Sequence, residues 1–161
     1  MKPLNTILPA AALAAALAIT AFALPAKQEQ TPSFADKYWL MESGSIVPAT
    51  DLNADGKPDS DLRNFLEDCE KDDTEMFRSN GKFVKNLGKQ KCVEGEDAEY
   101  EDGSWTYNSA TKQLTIKQNE VPQPIVISIK ELTATKLVGT FEFTSPQGQK
   151  VMITGVYKLK Q

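Results

Sequence analysis

The pattern in this chain most specific to a chemistry is Asp51-Leu52-Asn53-Ala54-Asp55-Gly56-Lys57-Pro58-Asp59. Asp51, Asn53, Asp55 and Asp59 place oxygen-bearing side chains at the first, third, fifth and ninth positions. With a glycine at the sixth and the Lys57 carbonyl at the seventh, that is how a calcium loop wraps a hard cation. The closing position departs from the pattern. Leu62 stands where a bidentate glutamate belongs, and Asp61 offers a carboxylate one residue early. A calcium site without that glutamate belongs to the weak extracellular range, roughly 10⁻⁴ to 10⁻³ M. The competing reading is a solvated turn in which Asp and Asn bond their own backbone and cap the segment that follows.

A second set is apolar. Trp39, Trp105, Tyr107, Ile127, Phe141 and Phe143 are the candidates to line a pocket, because aromatic and aliphatic walls with few polar groups suit a small hydrophobic guest. The same residues could equally fill a solid interior. Two acidic runs, Glu67 to Glu75 around Cys69 and Glu94 to Asp102 beyond Cys92, read as solvated loops, with a cation or basic partner as the alternative.

Enzymatic chemistry finds little support. The chain has no histidine, so Ser-His-Asp, Cys-His and histidine-based zinc sites are absent, and it carries no Gly-x-Ser-x-Gly elbow or phosphate-cradling glycine loop. Paired carboxylates could serve a glycosidase, but in so acidic a chain chance pairs are common. The expectation is a protein without catalytic residues.

These residues need a compartment. Lys2 precedes a mostly apolar, alanine-rich run from Leu4 to Leu24, and Lys27-Gln28-Glu29-Gln30 follows. Ala21-Phe22-Ala23 offers the small residues a signal peptidase reads, so residues 1–26 are expected to be an export signal, cut between Ala23 and Lys27. An uncleaved membrane anchor is the alternative; Pro9 and the weak hydrophobicity of alanine count against it. No cysteine precedes Cys69, so no lipid anchor is expected, and the mature protein should be periplasmic or secreted. There, Cys69 and Cys92, the chain's 2 cysteines, should form a disulfide. Losing Lys2 from the 18 basic residues leaves 17 against 22 acidic ones, a net charge of −5. Such a surface repels nucleic acid and anionic lipid, so neither is an expected partner.

Residues 27–36 are polar, contain Pro32 and read as a flexible leader. After it, about eight short strands closed by turns predict an all-β, eight-stranded, up-and-down antiparallel barrel over residues 37–160, with an open sheet or sandwich as the alternative. The first strand is expected over Lys37 to Val47, with Trp39 and Met41 on one face. Leu62, Phe65, Leu66 and Cys69 have the spacing of one apolar stripe, which predicts a short helix capped by Asp59 or Ser60. Thr74 to Ser79 and Lys82 to Leu87 should form a hairpin across Asn80-Gly81, a two-residue turn needing positive φ at both positions. Gly88 to Asp102 is a long acidic connection, Gly103 to Asn108 pairs with Gln113 to Gln118, and Pro122 and Pro124 break the chain before the sixth strand. Three alternating sets should face the core: Ile125, Ile127 and Ile129; Leu137, Phe141 and Phe143; Val151, Ile153, Tyr157 and Leu159. Gly139 and Gly155 interrupt these faces where a closing sheet would bend.

Several landmarks stand in order along this frame: Trp39-Leu40, Asp51-Leu52-Asn53, Asp55-Gly56, Cys69, Asp72-Asp73, Phe77, Asn80-Gly81, Cys92, Gly103-Ser104-Trp105, Leu114-Thr115-Ile116 and Leu132-Thr133. In that order the chain resembles the lipocalin-like domain of exported bacterial proteins, over Lys37 to Lys160. The resemblance implies an eight-stranded barrel and capture of a small hydrophobic molecule. Lys37-Tyr38-Trp39 has lysine where true lipocalins have glycine, and the lipid-bearing cysteine of many relatives is missing. The alternative function is a solid-core envelope domain that binds another protein.

Overall fold

The computed structural model describes residues 31–161, so the expected signal and the start of the leader lie outside the described residues. Nine strands follow in order: β1 (Tyr38–Thr50), β2 (Asp59–Asp61), β3 (Thr74–Phe77), β4 (Lys82–Asn86), β5 (Glu99–Asn108), β6 (Gln113–Gln118), β7 (Ile125–Leu132), β8 (Lys136–Thr144) and β9 (Lys150–Leu159). Sequential antiparallel pairing from β3 to β9 is joined by β1, which pairs with both β3 and β9. The sheet therefore closes into an eight-stranded barrel. Along the closing seam Trp39 faces Leu159 and Val47 faces Met152.

The ninth strand has a local cause. β3 is only 4 residues long and pairs with β1 from Tyr38 to Leu40, so the upper half of β1 would expose an open edge. The short β2 covers it, with Ser45 opposite Asp61 and Thr50 opposite Asp59. Two of the sheet's bulges set which side chains face inward near the site. Between Met41 and Ser43 the pairing of β1 with β9 shifts, so that Trp39 and Met41 below the bulge, and Gly44 and Ile46 above it, all turn inside. In β5, Asp102 is the extra residue between Glu101, opposite Val84, and Gly103, opposite Phe83.

One end of the barrel is stopped by the chain that precedes β1. Residues 31–36 depart from the expected flexible leader: Phe34 is fully buried and packs edge-on against Phe77 and Tyr107, at 5.4 and 5.2 Å between ring centroids. The Trp39 indole donates to the Phe34 carbonyl at 2.9 Å, and the Asp36 amide donates to the Phe77 carbonyl. A barrel end lined by aromatic rings exposes more apolar surface than water tolerates, and a phenylalanine within reach covers it.

Three other expectations are corrected. The apolar stripe at Leu62 forms no α-helix but two 3-10 turns, Leu62–Phe65 and Asp68–Glu70, with Leu66 extended between them. So short a segment has too few hydrogen bonds to hold an α-helix unaided, and tertiary contacts decide its path. Leu62 turns in toward the barrel while Phe65 stays 37% exposed. The Asn80-Gly81 turn is also wider than expected, since only Gly81 has positive φ. Gly81 N–H donates to the Arg78 carbonyl and Arg78 N–H to that of Lys82, the arrangement of a turn closed by a left-handed glycine. Finally, the connection after Gly88 is shorter than predicted, because β5 already begins at Glu99.

Candidate ligand cavity

Side chains on alternate positions of the closed sheet point inward, and they do not fill the space. A cavity of about 150 Å³ lies between the aromatic plug and the upper rim. Its wall is mainly aliphatic and aromatic, from Met41, Leu62, Phe77, Phe83, Leu114, Ile116, Ile125, Ile127, Ile129, Leu137, Phe141 and Tyr157. An apolar void of this size accommodates a guest of about the bulk of benzene.

The room comes from glycines. Gly44, Gly155 and Gly139 stand in register across β1, β9 and β8. A Cβ added to Gly139 would lie 2.4 Å from the Ile127 Cγ2, one on Gly155 2.8 Å from the Tyr157 ring, and one on Gly44 2.7 Å from the Leu62 Cβ. The row lets three side chains from other positions lean across the sheet. Two of the three glycines were legible as bend positions; here they set the shape of the interior.

One sector of the wall is polar. Glu75 and Gln118 reach the cavity from β3 and β6. Glu75 lies opposite Lys85 in the β3–β4 pairing, two residues from Phe77 and on the same inward face. The Lys85 ammonium, however, sits 3.5 Å from Asp102, whose carboxylate also accepts a hydrogen bond from the Gln118 amide at 2.8 Å. The β5 bulge that carries Asp102 depends on Gly103, where a Cβ would meet the Lys117 carbonyl oxygen at 2.0 Å. Among the described residues nothing donates a hydrogen bond to Glu75. Burial, opposed by Lys85 and reinforced by Asp102, pushes its carboxyl up to about 7. Burial likewise raises Tyr157, with a further contribution from Glu75. Burial works to lower Lys85, but Asp102, Glu75 and Tyr100 outweigh it and leave the ammonium above its ordinary value. Asp73 is pushed up to about 6 by burial and by the neighbouring Asp72 and Glu70.

The six lining candidates divide. Ile127 and Phe141 line the cavity. Trp39, Trp105 and Tyr107 pack instead around Phe34 and Phe77 at the stopped end, where the Trp105 indole donates to the Arg78 carbonyl at 2.9 Å. Phe143 continues the inward face past its last covered position; paired with Val151 at the rim, it is 41% exposed. Glu75, Gln118, Leu62 and Tyr157 also belong to the site. Tyr157 reads from the sequence as core-facing and Leu62 as part of an apolar stripe, whereas Gln118 is not singled out there. Glu75, which reads as the end of a solvated acidic run, instead faces inward because it alternates with Phe77 on β3.

Cys69 and Cys92 form a disulfide, tying the second 3-10 turn to the loop before β5. The Asp51 to Asp59 segment is knit to its own backbone. Asp51 accepts from the amides of Asp55 and Gly56, Asn53 from Asp55, Asp55 from Lys57, and Asp59 from Leu52. No three carboxylates of this loop bring oxygens within 4.8 Å of one another.

A model of the lipocalin-like domain matches residues 37–139. The chain belongs to the lipocalin-like domain family. Its closed antiparallel barrel is the fold that membership implies. Among curated proteins no sequence matches this lipocalin-like chain. Among solved structures it is similar to a bovine odorant-binding protein in complex with a selenium-containing odorant, at 12% identity and TM-score 0.43, covering 83% of this chain and 74% of that one. It is also similar to a deswapped triple mutant of the bovine odorant-binding protein, at 14% identity and TM-score 0.38, covering 81% and 75%.

Proposed function

We propose that this lipocalin-like domain is a non-enzymatic binding protein that takes one small, apolar molecule into its barrel. The observation that carries the reading is the apolar cavity of about 150 Å³, kept open by Gly44, Gly139 and Gly155. Among its lining residues Glu75 is the sole carboxylate, so a catalytic carboxylate pair does not face the space. The size favours a single ring or a short branched chain over a long fatty acid. The disulfide and the apolar N-terminal segment support export to an oxidising compartment, with the periplasm or the medium as its place of action.

The weak calcium reading of Asp51, Asn53, Asp55, Lys57 and Asp59 is compatible with this function only as a separate surface feature. Binding there would require Asp51 and Asp55 to exchange their backbone donors for the ion.

Calorimetric titration with toluene and with benzyl alcohol tests the binding reading. One-to-one binding of either supports it. No heat from either, together with an unchanged melting temperature, contradicts it.

A further inference from the structure

We propose that the cavity selects an apolar guest carrying one protonated amine, with the Glu75 carboxylate as counter-ion to the ammonium. The inference deepens the binding reading above and rests on it.

Glu75 is the ionisable acid in the wall whose bonding capacity is unspent. It lines the cavity, yet no described residue donates a hydrogen bond to it, and an unpaired carboxylate in an apolar enclosure is costly. The natural partner on the neighbouring strand, Lys85, is already held by Asp102, and Gln118 is spent on the same acid. The interior therefore presents one ionisable acceptor that no cation is paired with and that no described residue hydrogen-bonds, although the Tyr157 phenol lines the same wall. A guest that brings its own donor completes the site, whereas one that brings an anion meets the Glu75 carboxylate.

The surrounding charges leave the choice of guest to Glu75. Around Glu75 stand Asp73 on its own segment, Lys85 on β4, Asp102 on β5, the un-ionised Tyr157 on β9, and Lys160, whose ammonium donates to the Asp72 carbonyl at 2.9 Å. The two neighbouring acids and two bases balance, so Glu75 itself supplies the sector's excess charge. Held empty, the carboxyl spends part of its time protonated near neutrality. An ammonium placed against it favours the ionised form, and the proton leaves to solvent as the amine binds.

Toluene, benzyl alcohol and benzylamine differ chiefly in the group on the methyl carbon, so they separate this inference from the one beneath it. At pH 8 benzylamine is expected to bind the wild-type protein about tenfold more tightly than benzyl alcohol, the advantage of one charge-assisted contact. The preference should vanish at pH 5, where Glu75 is protonated, and in Glu75→Gln at either pH. Asp73→Asn should retain it, which assigns the titration to Glu75. Equal binding of alcohol and amine at pH 8, or a preference that survives in Glu75→Gln, overturns the inference while leaving the apolar-guest reading intact. If none of the three binds, both fall. Should Glu75→Gln bind nothing, the pH profile of the wild-type preference still decides: a preference unchanged between pH 5 and 8 overturns it.

Discussion

Gly139 on β8 lies directly opposite Gly155 on β9, and the space left by their missing side chains is occupied from elsewhere by Ile127 and the Tyr157 ring. The relationship makes the interior sensitive to single methyl groups. A Cβ at 2.4 Å from Ile127 forces that side chain toward the cavity, because packed interiors have few alternative positions. Gly139→Ala is expected to lower stability by about 1–3 kcal/mol and to reduce the affinity for a benzene-sized guest. Urea denaturation and calorimetry on the same preparation measure both.

Glu75 should give the domain an unusual pH dependence. Its folded-state value of about 7 exceeds the 4.5 of the unfolded chain, so the folded protein holds the proton more tightly. Between those values folding binds protons, and stability declines as pH rises. The penalty reaches of the order of 3 kcal/mol above pH 7 and is absent below pH 4.5. Glu75→Gln is therefore expected to raise the melting temperature at pH 8 and to leave it nearly unchanged near pH 4.5. Denaturation midpoints of wild type and variant across pH 4.5 to 8 check the sign.

Phe34 plugs the lower end although nothing in its neighbourhood announces it. Replacing it leaves a void among Phe77, Trp105 and Tyr107. Phe34→Ala is expected to cost about 3–5 kcal/mol, read by chemical denaturation, with a matching shift in tryptophan fluorescence as water reaches Trp39 and Trp105.

The Cys69–Cys92 bridge spans a sequence separation of 23 residues. Restricting the unfolded chain over such a loop stabilises by roughly 3–4 kcal/mol. The double substitution Cys69→Ser with Cys92→Ser should lose that amount and keep the barrel. Denaturation curves give the first, and circular dichroism the second.

At the Asp51 to Asp59 loop the side-chain oxygens already accept backbone amides, so calcium has to compete with bonds that cost nothing to keep. A calcium titration up to about 1 mM is expected to produce no binding heat. The melting temperature should be indifferent to chelator.

Much of the barrel was legible because alternation carries it. Trp39 with Met41, Ile127 with Ile129, and Val151 with Ile153 each sit two residues apart, and pairing in the closed sheet turns each pair inward. The site was less legible, since its deciding residues break the rule that makes strands readable. Glu75 alternates with Phe77, but a charge in that position reads as outward-facing until the closed topology shows that both face the interior. Asp102 is aimed by a bulge, which shifts the period by one residue and leaves no mark in local composition. Phe34, between Ser33 and Ala35 after Pro32, lacks any periodic neighbour. Leu62 lies on a helical spacing that the chain does not use; the room it packs into is left by Gly44 on β1. Signals carried by contacts between distant residues are invisible to periodicity.

The central claim is that the barrel is hollow and admits an apolar guest, and methyl-detected NMR during a toluene titration tests it most directly. The account predicts saturable, one-site shifts in the methyl groups of Leu114, Ile116, Ile127 and Ile129, with those of the exposed Val47 and Val93 unmoved. Interior methyls that stay fixed, or that move no more than the exposed ones, would contradict it.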